Sequence, residues 1–231
     1  LTHGQCNVAM GSVLSVWHDY RTEGMDDPAA AKLPPMDKLR EAAMHTDIEK
    51  LVIDAEACTV TVTDPKMTLD VGAIAKGYAV ERIARSLEEQ GITGYILNVG
   101  GNVRAVGEKP DGTGWTVGVE NPEEGGDYTA YLSLTKESLV TSGSYQRYYL
   151  VDGKRYPHII DPDTWMPGSL WRSVTIVCGD SGLADALSTA LFLLPLEEGQ
   201  ALAEKCGAEV LWMDTTGELF YTPGFRELIK K

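Results

Sequence analysis

Apolar positions along this chain come in short blocks whose spacing switches between that of a helix and that of a strand. Val8, Met10, Val13, Leu14, Val16 and Trp17 predict a short buried helix over Val8–Trp17. The acidic, Pro-containing stretch 21–35 predicts a surface loop, and Met36–Ala43 a second short helix. Leu51–Ile53 and Cys58–Val62 predict a hairpin turning at Ala55–Ala57, and Met67–Leu69 a further strand. Ile83, Ala84 and Leu87 mark a helix that Gly91 closes. Tyr95–Val106 predicts one strand broken by a bulge at Gly100-Gly101. Trp115–Glu120, Ala130–Leu134 and Ser138–Thr141 predict strands separated by Gly- and Asp-rich turns. Tyr145–Val151 and Arg155–Ile160 flank Asp152-Gly153, a strong hairpin signal. Val174–Cys178 predicts a buried strand, and Pro195 ends a helix over Gly182–Leu194. The tail predicts a helix, Leu196–Lys205, and a hairpin of Val210–Met213 with Leu219–Thr222.

Charge narrows the partners. A formal net charge of −14 and a pI near 4.7 repel nucleic acid and anionic lipid. A polyphosphate ligand would need a local cation to enter, which a divalent metal supplies. The four cysteines, Cys6, Cys58, Cys178 and Cys206, lack metal-ligand spacing. Cys58 and Cys178 lie in apolar runs and are expected to be buried thiols. The histidines, His3, His18, His45 and His158, form no zinc pattern. No apolar run reaches membrane-spanning length and no signal peptide is visible; the chain starts at Leu1.

Leu69–Ala79 is the stretch with chemistry in it. An acid, Asp70, precedes Gly72, and a helix then opens with Lys76 in its first turns. Unpaired helix-start amides, the helix dipole and the lysine charge favour a phosphate there. Asp70 suits a hydroxyl, an amine or a cation of the same ligand. Gly72 and Gly77 equally permit a tight turn with no ligand. On the later helix, Asp185 and Thr189 are four apart on one face with Ser188 beside them. All three are hard oxygen donors suited to Mg²⁺. The alternative is an Asp favoured by the helix dipole and a Thr bonding back to a carbonyl. His158 reads as a base or as a structural histidine. Asp161, before Pro162, reads as a turn cap.

Taken in order, five stretches resemble the FAD:protein FMN transferase (ApbE) family, once described as thiamine biosynthesis lipoproteins. They are Leu69–Ala79, Ile96–Val103 (Ile-Leu-Asn-Val-Gly-Gly-Asn-Val), Thr141–Tyr149, His158–Thr164 and Ala184–Phe192. Gly4–Trp17 is similar to the family's Phe-Asp-x-Thr-x-Gly-Pro-Leu-x-x-x-Trp segment. Cys6, Asn7 and Ala9 stand for Phe, Asp and Thr, Ser12 replaces Pro, and Gly11 and Trp17 are kept. Trp165 stands where the family has Gly.

The resemblance implies an α+β fold of two entwined halves, antiparallel sheet with helices, T-fold-like. It implies one domain over 1–231 that lacks the family's N-terminal segment. It implies transfer of the FMN half of FAD to a Thr or Ser hydroxyl of a flavoprotein, with Mg²⁺, releasing AMP. Acceptors would be subunits of sodium-pumping NADH:quinone oxidoreductases or Rnf-type complexes, or extracytosolic reductases. The setting implied is extracytoplasmic, periplasmic or on the outer membrane face, with any lipid anchor outside this chain. Gln5, Cys6, Asn7, Asp70, Lys76 and Ile159 would contact FAD. The Ala73 carbonyl, Asp185 and Thr189, with Ser188 adjacent, would hold the metal. His158 would deprotonate the acceptor hydroxyl, with Asp161 as base or turn residue. A Mg²⁺-dependent FAD pyrophosphatase and a non-catalytic FAD-binding module are the alternatives.

Overall fold

A computed structural model describes residues 1–122 and 126–230, so part of the turn expected before Ala130 lies outside the described residues. In chain order the helices are α1 (Gly11–Asp26), α2 (Met36–Ala43), α3 (Ala75–Glu89), α4 (Ser181–Leu193), α5 (Leu196–Cys206) and α6 (Pro223–Leu228). The strands are β1 (Leu51–Asp54), β2 (Thr59–Val62), β3 (Tyr95–Val99), β4 (Asn102–Val106), β5 (Trp115–Val119) and β6 (Ala130–Leu134). They continue with β7 (Ser138–Gly143), β8 (Tyr148–Val151), β9 (Lys154–Pro157), β10 (Trp171–Cys178), β11 (Glu209–Asp214) and β12 (Leu219–Tyr221). The strand ladders among the described residues are all antiparallel, as the expected α+β class requires. Among the described residues no helix is long and apolar enough to cross a membrane.

The chain packs as two compact units. The first is His3–Val71 with Gln146–Gly168; the second is Gly72–Tyr145 with the chain from Ser169 onward.

In the first unit, Met10, Val13, Val16 and Trp17 of α1 and its 3₁₀ lead-in bury against Leu39, Tyr149, Val151 and Ile160. Helix α1 runs well past the expected end at Trp17, because Tyr20 and Gly24 continue the packed face. Gly24 lies so close to Tyr149 that an added Cβ would sit 2.9 Å from the ring. The helix stops where Asp27 turns its carboxylate onto the Ala29 N–H ahead of a 3₁₀ turn begun by Pro28. The β1–β2 hairpin forms as expected, with Ile53 and Val60 both more than 60% exposed. Cys58 is exposed at its turn with φ +51, not buried in a strand.

The second unit is a six-stranded sheet in the order β12-β11-β10-β7-β4-β3. One face, carrying Val103, Leu139, Val177 and Leu211, packs on the β5–β6 hairpin and on Phe225 of α6. Helices α4 and α5 cover the other face, where Gly199 lets α5 close on Trp212. Strand β10 is buried along nearly its whole length, and mixes Trp171, Val174, Ile176, Val177 and Cys178 with the buried polar residues Ser173 and Thr175.

Two further expectations change. Met67–Leu69 is not a strand; the chain there is irregular up to the turn before α3. Tyr95–Val106 is a hairpin, not a bulged strand. Gly100 and Gly101 take φ +57 and +87, the two positive values that a two-residue reversing turn requires. Asn98 stabilises that turn by accepting the Gly101 N–H at 3.1 Å.

Candidate active site

Helix α3 begins at Ala75 with no side-chain cap of its own, since Ile74 occupies the cap position. Its orphan amides must find partners elsewhere. Asp185 on α4 supplies one: its Oδ2 accepts the Gly77 N–H at 2.8 Å. That approach requires glycine. A Cβ on residue 77 would meet the Ser181 carbonyl oxygen at 2.2 Å and the Asp185 Cβ at 2.6 Å. Lys76 Nζ lies 3.7 Å from the other carboxylate oxygen, with its own side chain 45% exposed. Asp185 is 4% exposed. Burial pushes its carboxyl above the ordinary carboxylate range, against the opposing pull of the Gly77 N–H and Lys76.

Ser188, one turn on, donates its hydroxyl proton to the Asp185 carbonyl at 2.8 Å. Ser142 on β7 is therefore the donor in the 2.8 Å bond between the two serine hydroxyls. Thr189 is half-buried beside it, and Ala73 lies in the turn that leads into α3. Among the described residues no three His, Cys, Asp or Glu side chains converge as a metal cluster. A cation here would rest on one carboxylate with neutral oxygens. Such a set fits Mg²⁺, which commonly uses one or two carboxylates and takes its remaining ligands from water and substrate phosphate.

Sequence reading missed the polar network next to this site. Glu81 on α3, 6% exposed, accepts from Arg85 at 2.8 Å, Arg104 at 3.2 Å and the Ser181 N–H at 3.0 Å. Arg85 also reaches Asp180 at 2.8 Å, and Asp180 caps α4 through the Leu183 N–H. Ser181 Oγ donates to Asn102 at 2.6 Å. Burial pushes the Glu81 carboxyl up, but Ser181, Arg85 and Arg104 outweigh it and hold it below the usual range. The network fixes the start of α4 on α3, and with it the place of Asp185.

The remaining predicted residues belong to the first unit. Gln5, Cys6 and Asn7 are half-buried. Gln5 donates to Asp163 at 3.3 Å, and Asn7 donates to the Thr46 carbonyl at 3.0 Å. Asp70 is exposed, its N–H held by the Val8 carbonyl at 2.8 Å. Ile159 is buried. Both the backbone N–H and Nδ1 of His158 point to the Arg147 carbonyl, at 3.0 and 3.2 Å. A carbonyl only accepts, so Nδ1 carries the proton and Nε2 the lone pair of the neutral ring. Asp161 Oδ1 accepts the Asp163 and Thr164 N–H groups, the turn-capping role open to an Asp before Pro. Trp165, where the family pattern has Gly, adopts φ +59, and its carbonyl accepts the Trp17 indole N–H at 2.8 Å.

The ApbE family model matches residues 1–212. An FAD:protein FMN transferase of Klebsiella pneumoniae is 35% identical over 197 residues, covering 84% of this chain and 58% of that protein. One of Haemophilus influenzae is 31% identical over 227 residues, covering 96% and 64%. The chain thus spans about three fifths of the length of these curated relatives. Among solved structures, the ApbE protein of Thermotoga maritima superposes with TM-score 0.87 at 32% identity, covering 100% of this chain and 74% of that one. The flavin transferase ApbE of Vibrio cholerae superposes with TM-score 0.80 at 28% identity, covering 98% and 72%.

Proposed function

The chain belongs to the ApbE family, and from that membership we propose that it transfers the FMN half of FAD to a Thr or Ser hydroxyl of a target flavoprotein, releasing AMP. The observation that carries the reading is Asp185: a buried carboxylate with a raised pKa, held by the α3 amide of Gly77 beside Lys76. The relatives' names supply the reaction class, and this site supplies a means of handling a pyrophosphate.

In this reading the acceptor oxygen bonds to the FMN-side phosphorus as the bond to the AMP oxygen breaks. The leaving AMP takes the electron pair, and the hydroxyl proton passes to His158 Nε2. Mg²⁺, held by Asp185 with the Thr189 hydroxyl and the Ala73 carbonyl beside Ser188, would neutralise charge on the phosphoryl oxygens. Lys76 adds a positive charge at the same place, and the start of α3 contributes its dipole. The Gly77 N–H keeps the Asp185 carboxylate turned toward that end of the helix. Gln5, Cys6, Asn7, Asp70 and Ile159 would hold the flavin nucleotide. The acceptor would be a subunit of a sodium-pumping NADH:quinone oxidoreductase or Rnf-type complex, or an extracytosolic reductase. The reaction would take place outside the cytosol.

The test is intact-mass analysis of such an acceptor domain after incubation with this chain, FAD and Mg²⁺. A gain of one FMN that disappears with EDTA is the expected result. Free FMN and AMP with unmodified acceptor would make the chain a pyrophosphatase. Intact FAD bound to the chain would make it a binding module.

A further inference from the structure

Three segments of the first unit, 7–12, 45–46 and 64–70, are tied into a closed ring. Asn7 reaches the second segment: its Nδ2 donates to the Thr46 carbonyl at 3.0 Å while its Oδ1 accepts the Ala9 N–H at 2.9 Å. Ser12 and Val8 reach the third. Ser12 Oγ donates to the Lys66 carbonyl and accepts the Thr68 N–H, both at 3.2 Å, and the Val8 carbonyl accepts the Asp70 N–H at 2.8 Å. The bond that closes the ring is between the second and third segments: His45 Nδ1 to Asp64 Oδ2 at 2.8 Å.

This bond is built for a fixed position. His45 and Asp64 side chains are 20% and 18% exposed. A carboxylate only accepts, so Nδ1 is the donor. Nε2 of the same ring is buried and has no hydrogen-bond partner. All of the ring's hydrogen bonding is therefore directed at Asp64. Asp64 is in turn locked into its own turn, accepting the Lys66 N–H at 2.9 Å through Oδ1 and the Met67 N–H at 3.1 Å through its carbonyl. Neither residue belongs to the motifs that carry the family resemblance.

We propose that the His45–Asp64 pair is the positioning element for the flavin-contacting residues of the first unit, setting affinity for FAD by holding Asn7 and the Asp70 backbone in register. The inference rests on the reading that Gln5–Asn7 and Asp70 contact FAD. His45 and Asp64 act through these residues and take no part in the phosphoryl step.

The test compares His45→Asn with His45→Gln. An asparagine amide nitrogen can occupy the place of Nδ1, whereas that of glutamine reaches toward the place of Nε2. The readouts are FAD affinity of the chain alone by fluorescence quenching, then KM for FAD and kcat with an acceptor domain. His45→Gln raises Kd and KM for FAD about tenfold with kcat within about twofold, as loss of a charge-assisted hydrogen bond predicts. His45→Asn stays within about threefold of wild type. If His45→Gln fails to fold, Asp64→Asn, which keeps the shape and an accepting oxygen but not the charge, gives the second reading. It raises Kd about threefold, and an unchanged Kd overturns the proposal. Equal impairment of the Asn and Gln variants also overturns it, as does loss of kcat at constant KM, while the functional reading stands. A wild-type chain that binds no FAD overturns both.

Discussion

Two carboxylates on facing helices of the second unit are equally hidden from water, and their surroundings treat a negative charge in opposite ways. Glu81 is met by two guanidinium groups and a backbone N–H within 3.2 Å, and its carboxyl is held below the usual range. Asp185 has one backbone N–H and a lysine at 3.7 Å, and burial wins. A saturated charge is a structural device that has nothing left to bind. An under-compensated one can be completed by a cation that arrives with the substrate. The comparison thus separates a carboxylate whose charge is fully met within the fold from one whose charge is not.

Substitutions should break that contrast in different ways. Asp185→Ala is expected to lower Mg²⁺-dependent FMN transfer by at least about 10²-fold, the scale for losing a charge-stabilising group in a phosphoryl site. Circular dichroism should show the fold intact. Full transfer activity would sink the metal assignment. Glu81→Gln should do the reverse, costing about 3–5 kcal/mol because Arg104 is left buried without its counter-charge. In a chain of this size the melting temperature then falls by roughly 2–4 °C per kcal/mol. An unchanged melt would mean that Glu81 is dispensable to packing. Gly77→Ala tests the contact that both environments share: about 1–3 kcal/mol of overpacking is expected, read by denaturant titration. Asp185→Asn has the smallest effect on stability. Measured in EDTA its melting temperature should equal or slightly exceed that of wild type, while added Mg²⁺ with FAD raises only the wild-type value.

pH sharpens the contrast further, and the two signs differ. The Glu81 pKa is depressed in the folded state, so its stabilisation is present above the unfolded value of about 4.3 and is lost as pH falls through the folded value. For Asp185 the folded pKa is raised. Its contribution in metal-free protein is present below about 3.9 and is lost as pH rises through the folded value. Acid titration in EDTA should therefore bring Glu81→Gln closer to wild type. Over the same range Asp185→Asn should lose ground to wild type. Parallel curves for the two variants would remove the distinction between the sites.

Asp185 was legible in the sequence because an acid inside an apolar helix contradicts its surroundings. Glu81 was not, since it reads as an ordinary surface acid with a lysine-like partner, Arg85, one turn away. Its burial depends on Arg104 and Ser181, which arrive from other elements. The Gly100-Gly101 reversal was present in the sequence, but two adjacent glycines describe a bulge as well as a turn until φ is known. Helix α1 ran past its expected end because only a tertiary partner, Tyr149, shows that Gly24 is a contact and not a break. Cys58 fell on the wrong side of the surface for a related reason: its apolar neighbours belong to a hairpin exposed on both strands. The strand-like Met67–Leu69 has a hydrophobic pattern, but its backbone donors go to Ser12 and Asp64 instead of to a neighbouring strand.

Because α3 has no cap of its own, its first turn is completed by a side chain 108 residues away. That long-range bond couples the ordering of the first turn of α3 to the packing of α4. In the native protein the Gly77 amide should exchange its hydrogen for deuterium no faster than α4 opens. One protected amide thus reports whether the Asp185 carboxylate is in place.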